Sequence, residues 1–183
     1  MAEIKSTKVV TSEVRFSYLH AFVPSSVEEG GVKKYSASLL IPKNTKEGKK
    51  TIAAIEAVVE FLKEEFKTKN KGKLPANFKT PLRDGDEERG DDPNYEDCMF
   101  VNASSLQKPG VVDADLNPIM DADEFYSGCY GNASLNFYLF DKSGNRGIAC
   151  GLNNLRKTKD GDNLGGGRSN AADDFASLTD LMD

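Results

Sequence analysis

A single histidine (His20), three cysteines (Cys98, Cys129, Cys150) and the lack of any apolar run near bilayer length set the first limits on this chain. With one imidazole, metal sites built on several His are excluded, and any Ser-His-Asp or Cys-His triad must use His20. The cysteines are odd in number, far apart and without CxxC spacing. They argue against a disulfide framework or a zinc site and suit a reducing cytosol. No stretch approaches the roughly 20 apolar residues that span a membrane, and Met1-Ala2-Glu3-Ile4-Lys5 lacks the apolar centre of a secretory signal. No metal and no cofactor is expected. Gly165-Gly166-Gly167-Arg168 lacks the GK[ST] ending of a phosphate loop and reads as a hinge. Asp113, Asp115, Asn117, Asp121 and Glu124 imitate a calcium loop, but Pro118 stands where that loop needs glycine.

What is present is an ordinary globular composition: 183 residues, 38% hydrophobic and 29% charged. That length suits one domain with appendages, able to bury about 70% of its unfolded surface. The net charge of −5 is unevenly spread. Residues 43–79 carry ten Lys against five Glu, and residues 142–168 six Lys or Arg against two Asp. The acid gathers in residues 83–97, with eight carboxylates and two Arg, and in the last fifteen residues, with four Asp and no cation. Local fields govern encounter with a polyanion, so the acidic average does not exclude nucleic acid.

Residues 9–22 alternate as a strand, with Val14, Phe16, Tyr18, His20 and Phe22 on one side, and Lys33–Ile41 is a second strand stopped by Pro42. Asn44 is the expected helix cap, with Glu47 three residues on. Ile52, Ile55, Val59, Leu62 and Phe66 then predict a helix over 46–68. Residues 80–97 show no periodicity and read as a long acidic loop. Cys98–Ala103, Cys129–Phe140 and Gly147–Lys157 are further strands, and Val111–Met120 is a short extended stretch ending in the turn Asn117-Pro118; Asp141–Arg146 is a hairpin loop. Short strands with one helix indicate a mainly β protein, a five-stranded OB-fold-like barrel over residues 1–168. Residues 169–183 form an acidic tail, expected to be flexible because it has too little apolar surface to offset its ordering entropy.

Cys129–Phe140 carries most of the chemistry. One parity is apolar: Cys129, Gly131, Ala133, Leu135, Phe137, Leu139. The other mixes rings with amides: Tyr130, Asn132, Ser134, Asn136, Tyr138, Phe140. Rings stack on unpaired bases for about 1–3 kcal/mol each, while amides and cations hold the backbone; the same pattern equally suits a sheet face covered by the helix or simply solvated. Asn153, Asn154, Arg156, Lys157 and Lys159 add to this face from the returning strand, and Arg146 is a further candidate in the hairpin loop before it. Arg15, Tyr18, Lys33, Lys34 and Tyr35 form a second aromatic-basic cluster, in which either Tyr could equally be a core residue with its hydroxyl at the rim.

The runs Phe125-Tyr126-Ser127-Gly128-Cys129-Tyr130-Gly131-Asn132-Ala133, Gly144–Asn154 and Asp160-Gly161-Asp162-Asn163-Leu164-Gly165-Gly166, with Asp173-Asp174-Phe175 beyond them, resemble a bacteriophage-encoded single-stranded-DNA-binding protein family. The resemblance extends over nearly the whole chain. It implies an OB-fold core that coats single strands in phage replication or recombination, in the cytoplasm of the infected bacterium. It implies no enzyme and no membrane. The tail, through Asp173, Asp174, Phe175, Asp180 and Asp183, would compete with DNA and recruit replication proteins such as a polymerase or helicase. A homodimer stays open. Two other readings stand beside this one: a metal-dependent nucleic-acid enzyme using the acidic 84–97 segment, Asp91 and Asp92 included, and an adaptor acting through its tail alone.

Overall fold

The computed structural model describes residues 6–26 and 29–164. Eight strands and one long helix run in the order β1 (Lys8–Val10), β2 (Val14–Ser25), β3 (Lys34–Pro42), α1 (Lys46–Lys69), β4 (Leu82–Asp84), α2 (Gly85–Glu88), β5 (Cys98–Ser105), β6 (Gly110–Val112), β7 (Tyr130–Lys142) and β8 (Asn145–Lys159). Strand β7 pairs with β2, β2 with β3, β3 with β5, β5 with β8 in parallel, and β8 returns to β7. The sheet thus closes on itself as a five-stranded Greek-key barrel, the OB arrangement expected from the strand pattern. Strands β1 and β6 extend the outer edges of β7 and β8.

Closure follows from alternation. On β7 the buried positions are Gly131, Ala133, Leu135 and Phe137, and the intervening residues face outward. The interior is filled by Val14, Phe16, Leu39, Ile41, Val101, Leu135, Phe137, Ile148 and Leu152. Gly131 is required where β7 and β8 approach, since a Cβ there would lie 1.8 Å from the Arg156 carbonyl oxygen. The β7–β8 hairpin turns on Ser143 and Gly144, both at positive φ (53° and 83°), a two-residue turn whose twist matches the strands.

Helix α1 covers the barrel with one apolar face, Ile55, Val58, Val59 and Leu62 joining the interior cluster. Its cap is Thr45, whose hydroxyl accepts from the Gly48 amide at 3.0 Å; Asn44, the expected cap, lies one residue too early. Thr51 accepts from the Ser12 amide at 2.9 Å, tying the helix to the break between β1 and β2.

Two other expectations are corrected. The strand predicted over 9–22 is broken after Val10 and bulged at Tyr18, where φ is +46°. Ser17 pairs with Ser38 and His20 with Ser36, so one extra residue sits on β2 and the alternation shifts. Tyr18 and His20 therefore face outward instead of sharing the inward side with Phe16. The acidic stretch is also not a loop. Its β4 pairs with β5, α2 follows, and a 3-10 turn at Pro93–Tyr95 packs Tyr95 against Phe100 at 5.1 Å over Leu40. Its carboxylates cap these turns: Asp84 accepts from the Asp86 amide and Asp92 from the Asn94 amide. Apolar anchors spaced too widely for any period hid this small second core from pattern reading.

Tyr95 is 1% exposed, and its hydroxyl is 3.0 Å from that of Ser38. Tyr95→Phe should cost about 1 kcal/mol of unfolding free energy, and Tyr95→Ala about 3–5 kcal/mol. Urea denaturation measures both, and equal costs would contradict the packing role assigned to the ring.

Candidate nucleic-acid interface

The outer surface of β3 and β5 changes character along its length. Opposite Leu40 stands Phe100, roofed by Tyr95; one rung on, Ser38 faces Asn102; the next is Ser36 opposite Ser104. Small polar side chains therefore begin where the apolar roof ends. They floor an open groove of about 810 Å³ bounded by Tyr18 and His20 from the bulged strand, by Val32 and Lys34, and by Arg89 from the acidic segment. A second depression of about 380 Å³ continues it across β8 and β7, lined by Leu106, Asn136, Tyr138 and Asn153. Lys34 and Ser104 line both, so the two form one furrow.

Backbone irregularities aim the side chains at its ends. Tyr18, 58% exposed, is carried out by its left-handed backbone, a costly conformation for a non-glycine residue and one that clusters at working sites. The Leu19 amide, donating to the Ser127 hydroxyl at 2.9 Å, holds the bulge. At the other end Ser134 pairs with Asn154 and Leu135 with Leu152, leaving Asn153 as an extra, outward residue of β8. Tyr138 is 45% exposed, and α1 does not seal this face. Arg89 is held over Tyr95 and Phe100, 5.7 Å from each ring.

The structure thus divides the candidate residues. Tyr18, Lys34, Asn136, Tyr138 and Asn153 meet in the furrow. Lys33 is exposed in the loop before β3, and Tyr35, half-buried, shares the inward parity of Ala37 and Leu39. Arg146 lies at the hairpin, its Nε 3.4 Å from Asp141. Asn154 accepts from the Gly110 amide at 3.2 Å and so secures β6. Lys157 donates to the Glu124 carbonyl and pairs with Asp160. Arg15, Tyr130, Asn132, Arg156 and Lys159 gather on another part of the barrel. Asp173, Asp174, Phe175, Asp180 and Asp183 lie outside the described residues. Sequence reading missed His20, Ser36, Ser38, Arg89, Asn102 and Ser104. The Ser36/Ser38 and Asn102/Ser104 alternation against apolar neighbours was the available signal; Arg89 offered none.

Two acids of the segment that carries Arg89 are paired with a lysine. Lys43 donates to Asp84 at 2.5 Å and to Asp86 at 2.8 Å. The hydrogen bonds to Asp84 and Asp86 hold its ammonium well above the usual lysine range, and Lys43 in turn draws both carboxyls down. Burial pushes the Cys150, Cys129 and Cys98 thiols up, away from thiolate chemistry. Asp113 in the would-be calcium loop accepts from the Asp115 and Asn117 amides, a plain turn.

Comparison with known proteins converges on one group. Residues 7–183 match the family model described as the Enterobacter phage Enc34 ssDNA-binding protein. A protein designated p50 of Acyrthosiphon pisum secondary endosymbiont phage 1 is 31% identical over 180 residues, covering 94% of each chain. The solved single-stranded DNA-binding protein of bacteriophage Enc34, in complex with ssDNA, is 27% identical, with a TM-score of 0.76 over 88% of this chain and 91% of that one. Gp2.5, a single-stranded DNA binding protein encoded by bacteriophage T7, shares the fold at 10% identity, with a TM-score of 0.63 over 91% of this chain and 99% of that one.

The Lys43 clasp has a pH signature. Because the folded Asp84 and Asp86 carboxyls sit below the usual aspartate value near 4, their contribution is present above that value and lost as pH falls through the folded one. Carboxyl NMR titration should show both midpoints depressed and Lys43→Met should move them up; unchanged midpoints in the variant would refute the clasp.

Proposed function

The chain belongs to the phage single-stranded-DNA-binding family typified by the Enterobacter phage Enc34 protein, and we propose that it holds the unpaired strand in the furrow running from Tyr18 to Tyr138. Members of such a family bind rather than catalyse. The observation that carries this reading is the furrow's composition. An exposed ring stands at each end, small hydroxyls and amides floor it, and Lys34 and Arg89 supply charge. Rings accept any base, because every base has a π-face, and cations track phosphates without reading sequence. The result is sequence-tolerant coating of single strands during phage replication or recombination, in the cytoplasm of the infected host.

The acidic end completes the proposal. Residues 169–183 carry four Asp, and removing them takes the formal charge from −5 to about −1. Tethered to a body of residues 1–168 with cations exposed in its furrow, this segment vies with DNA at high effective concentration and presents Phe175 to replication partners such as a polymerase or helicase.

Fluorescence anisotropy with oligo(dT) tests the furrow. Tyr18→Ala and Tyr138→Ala should each weaken binding by about 1–3 kcal/mol. Lys34→Ala should lower the slope of log affinity against log salt by about 0.7, one phosphate contact. Equal preference for duplex, or no effect from either tyrosine, would overturn the assignment. Ending the chain after Arg168 should tighten binding; unchanged affinity would remove the competition.

A further inference from the structure

Five residues outside the furrow share one outer face. Pairing sets Tyr130 of β7 beside Arg15 of β2 on one side and Lys159 of β8 on the other; Asn132 lies opposite Arg156. The Arg15 guanidinium stands 5.4 Å from the Tyr130 ring centre and the Lys159 ammonium 4.6 Å. Arg15 donates from Nε to the Gly128 carbonyl at 3.1 Å and from Nη2 to the Asp162 carbonyl at 3.0 Å. Arg156 donates from Nε and Nη2 to the Asn132 carbonyl oxygen at 2.9 and 2.7 Å.

We infer that this face is a second phosphate-binding surface, engaged by the stretch of single strand that has left the furrow at Tyr18. The inference rests on the furrow reading above. Arg15 is oriented by backbone carbonyls and the Tyr130 ring, and Arg156 by the Asn132 side-chain carbonyl, all neutral groups, so each guanidinium keeps its full charge and Nη1 of each remains to donate to an anion. Among the described residues, the carboxylate paired with a cation of this face is Glu13, 3.4 Å from Lys159 and hydrogen-bonded by Thr158. Three cations against Glu13 and the adjoining Asp162 leave an excess of about one charge. Tyr130 has cations over its ring, so the face meets backbone phosphate and not bases. Arg15 precedes Tyr18 by three residues on one strand, about 10 Å at ~3.3 Å per residue, so a strand reaches it within a few nucleotides.

The competing occupant is the chain's own acidic end; Leu164, the last described residue before it, lies nearby, its amide donating to the Ser127 carbonyl at 2.8 Å. Four carboxylates spread over residues 173–183 offer a sparser charge than one phosphate per nucleotide. The guanidinium fork also matches phosphate geometry.

The test uses full-length protein and dT oligomers of increasing length. Arg156→Gln with Lys159→Gln removes two cations and leaves Arg15, which also anchors the backbone. Oligomers short enough to fill only the furrow should bind the double variant within about twofold of wild type. Longer ones should lose affinity, and their salt slope should fall by about 1.4, two contacts at ~0.7 each. Arg156→Lys with Lys159→Arg, which keeps both charges, should restore the slope. Tyr18→Ala should weaken short and long oligomers alike. Equal loss at every length, or none, overturns the inference and leaves the furrow standing. Tighter binding by the double variant overturns it in favour of the acidic end as occupant. If wild type binds no short oligomer, the furrow reading fails, and this inference with it.

Discussion

A barrel closed on itself, with an interior filled by Phe16, Leu39, Leu135 and Phe137, can act only through its outer face. Every functional feature then depends on the two-residue alternation of the strands and on the places where it is interrupted. The bulge at Tyr18 turns a ring outward that strict alternation would bury, and the extra residue at Asn153 presents an amide beyond the regular face. Between these interruptions the regular rungs Ser36–Ser104 and Ser38–Asn102 supply a low polar floor.

The acidic segment, at first sight a charge run, is what shapes this surface. Tyr95 roofs the apolar rungs of β3 and β5, so that the open floor starts at a defined place, and Arg89 is carried to its edge. Lys43 holds Asp84 and Asp86, and Arg83 pairs with Glu88, which ties these carboxylates to cations. A chain with a formal charge of −5 thereby keeps three acids of this segment paired, while Lys34 and Arg89 line the groove.

Much of this was legible beforehand. Helix α1 and strands β3, β7 and β8 declared themselves because long, one-sided burial imposes a period that residue types must follow. The outward row Tyr130, Asn132, Asn136, Tyr138 was read correctly, since β7 is regular there. The row was nevertheless divided by the fold: two of its members reach the furrow and two lie with Arg15 and Arg156. Such a division depends on which strands flank each rung, a long-range fact that no local pattern contains. Alternation alone put Tyr18 and His20 in step with Phe16 and left Tyr18 open between core and surface, because a one-residue insertion reverses every side chain beyond it. Tyr95 and Arg89 were invisible because their partners Leu40 and Phe100 are remote in sequence.

The account's central claim is that unpaired bases lie along the outward rungs between Tyr18 and Tyr138. Backbone amide chemical shifts recorded while oligo(dT) is added test it most directly. The predicted result is that the largest changes fall on Tyr18, Ser36, Ser38, Asn102, Ser104 and Tyr138, with Arg89 at the edge. Changes confined to the solvent face of α1, with these residues still, would contradict it.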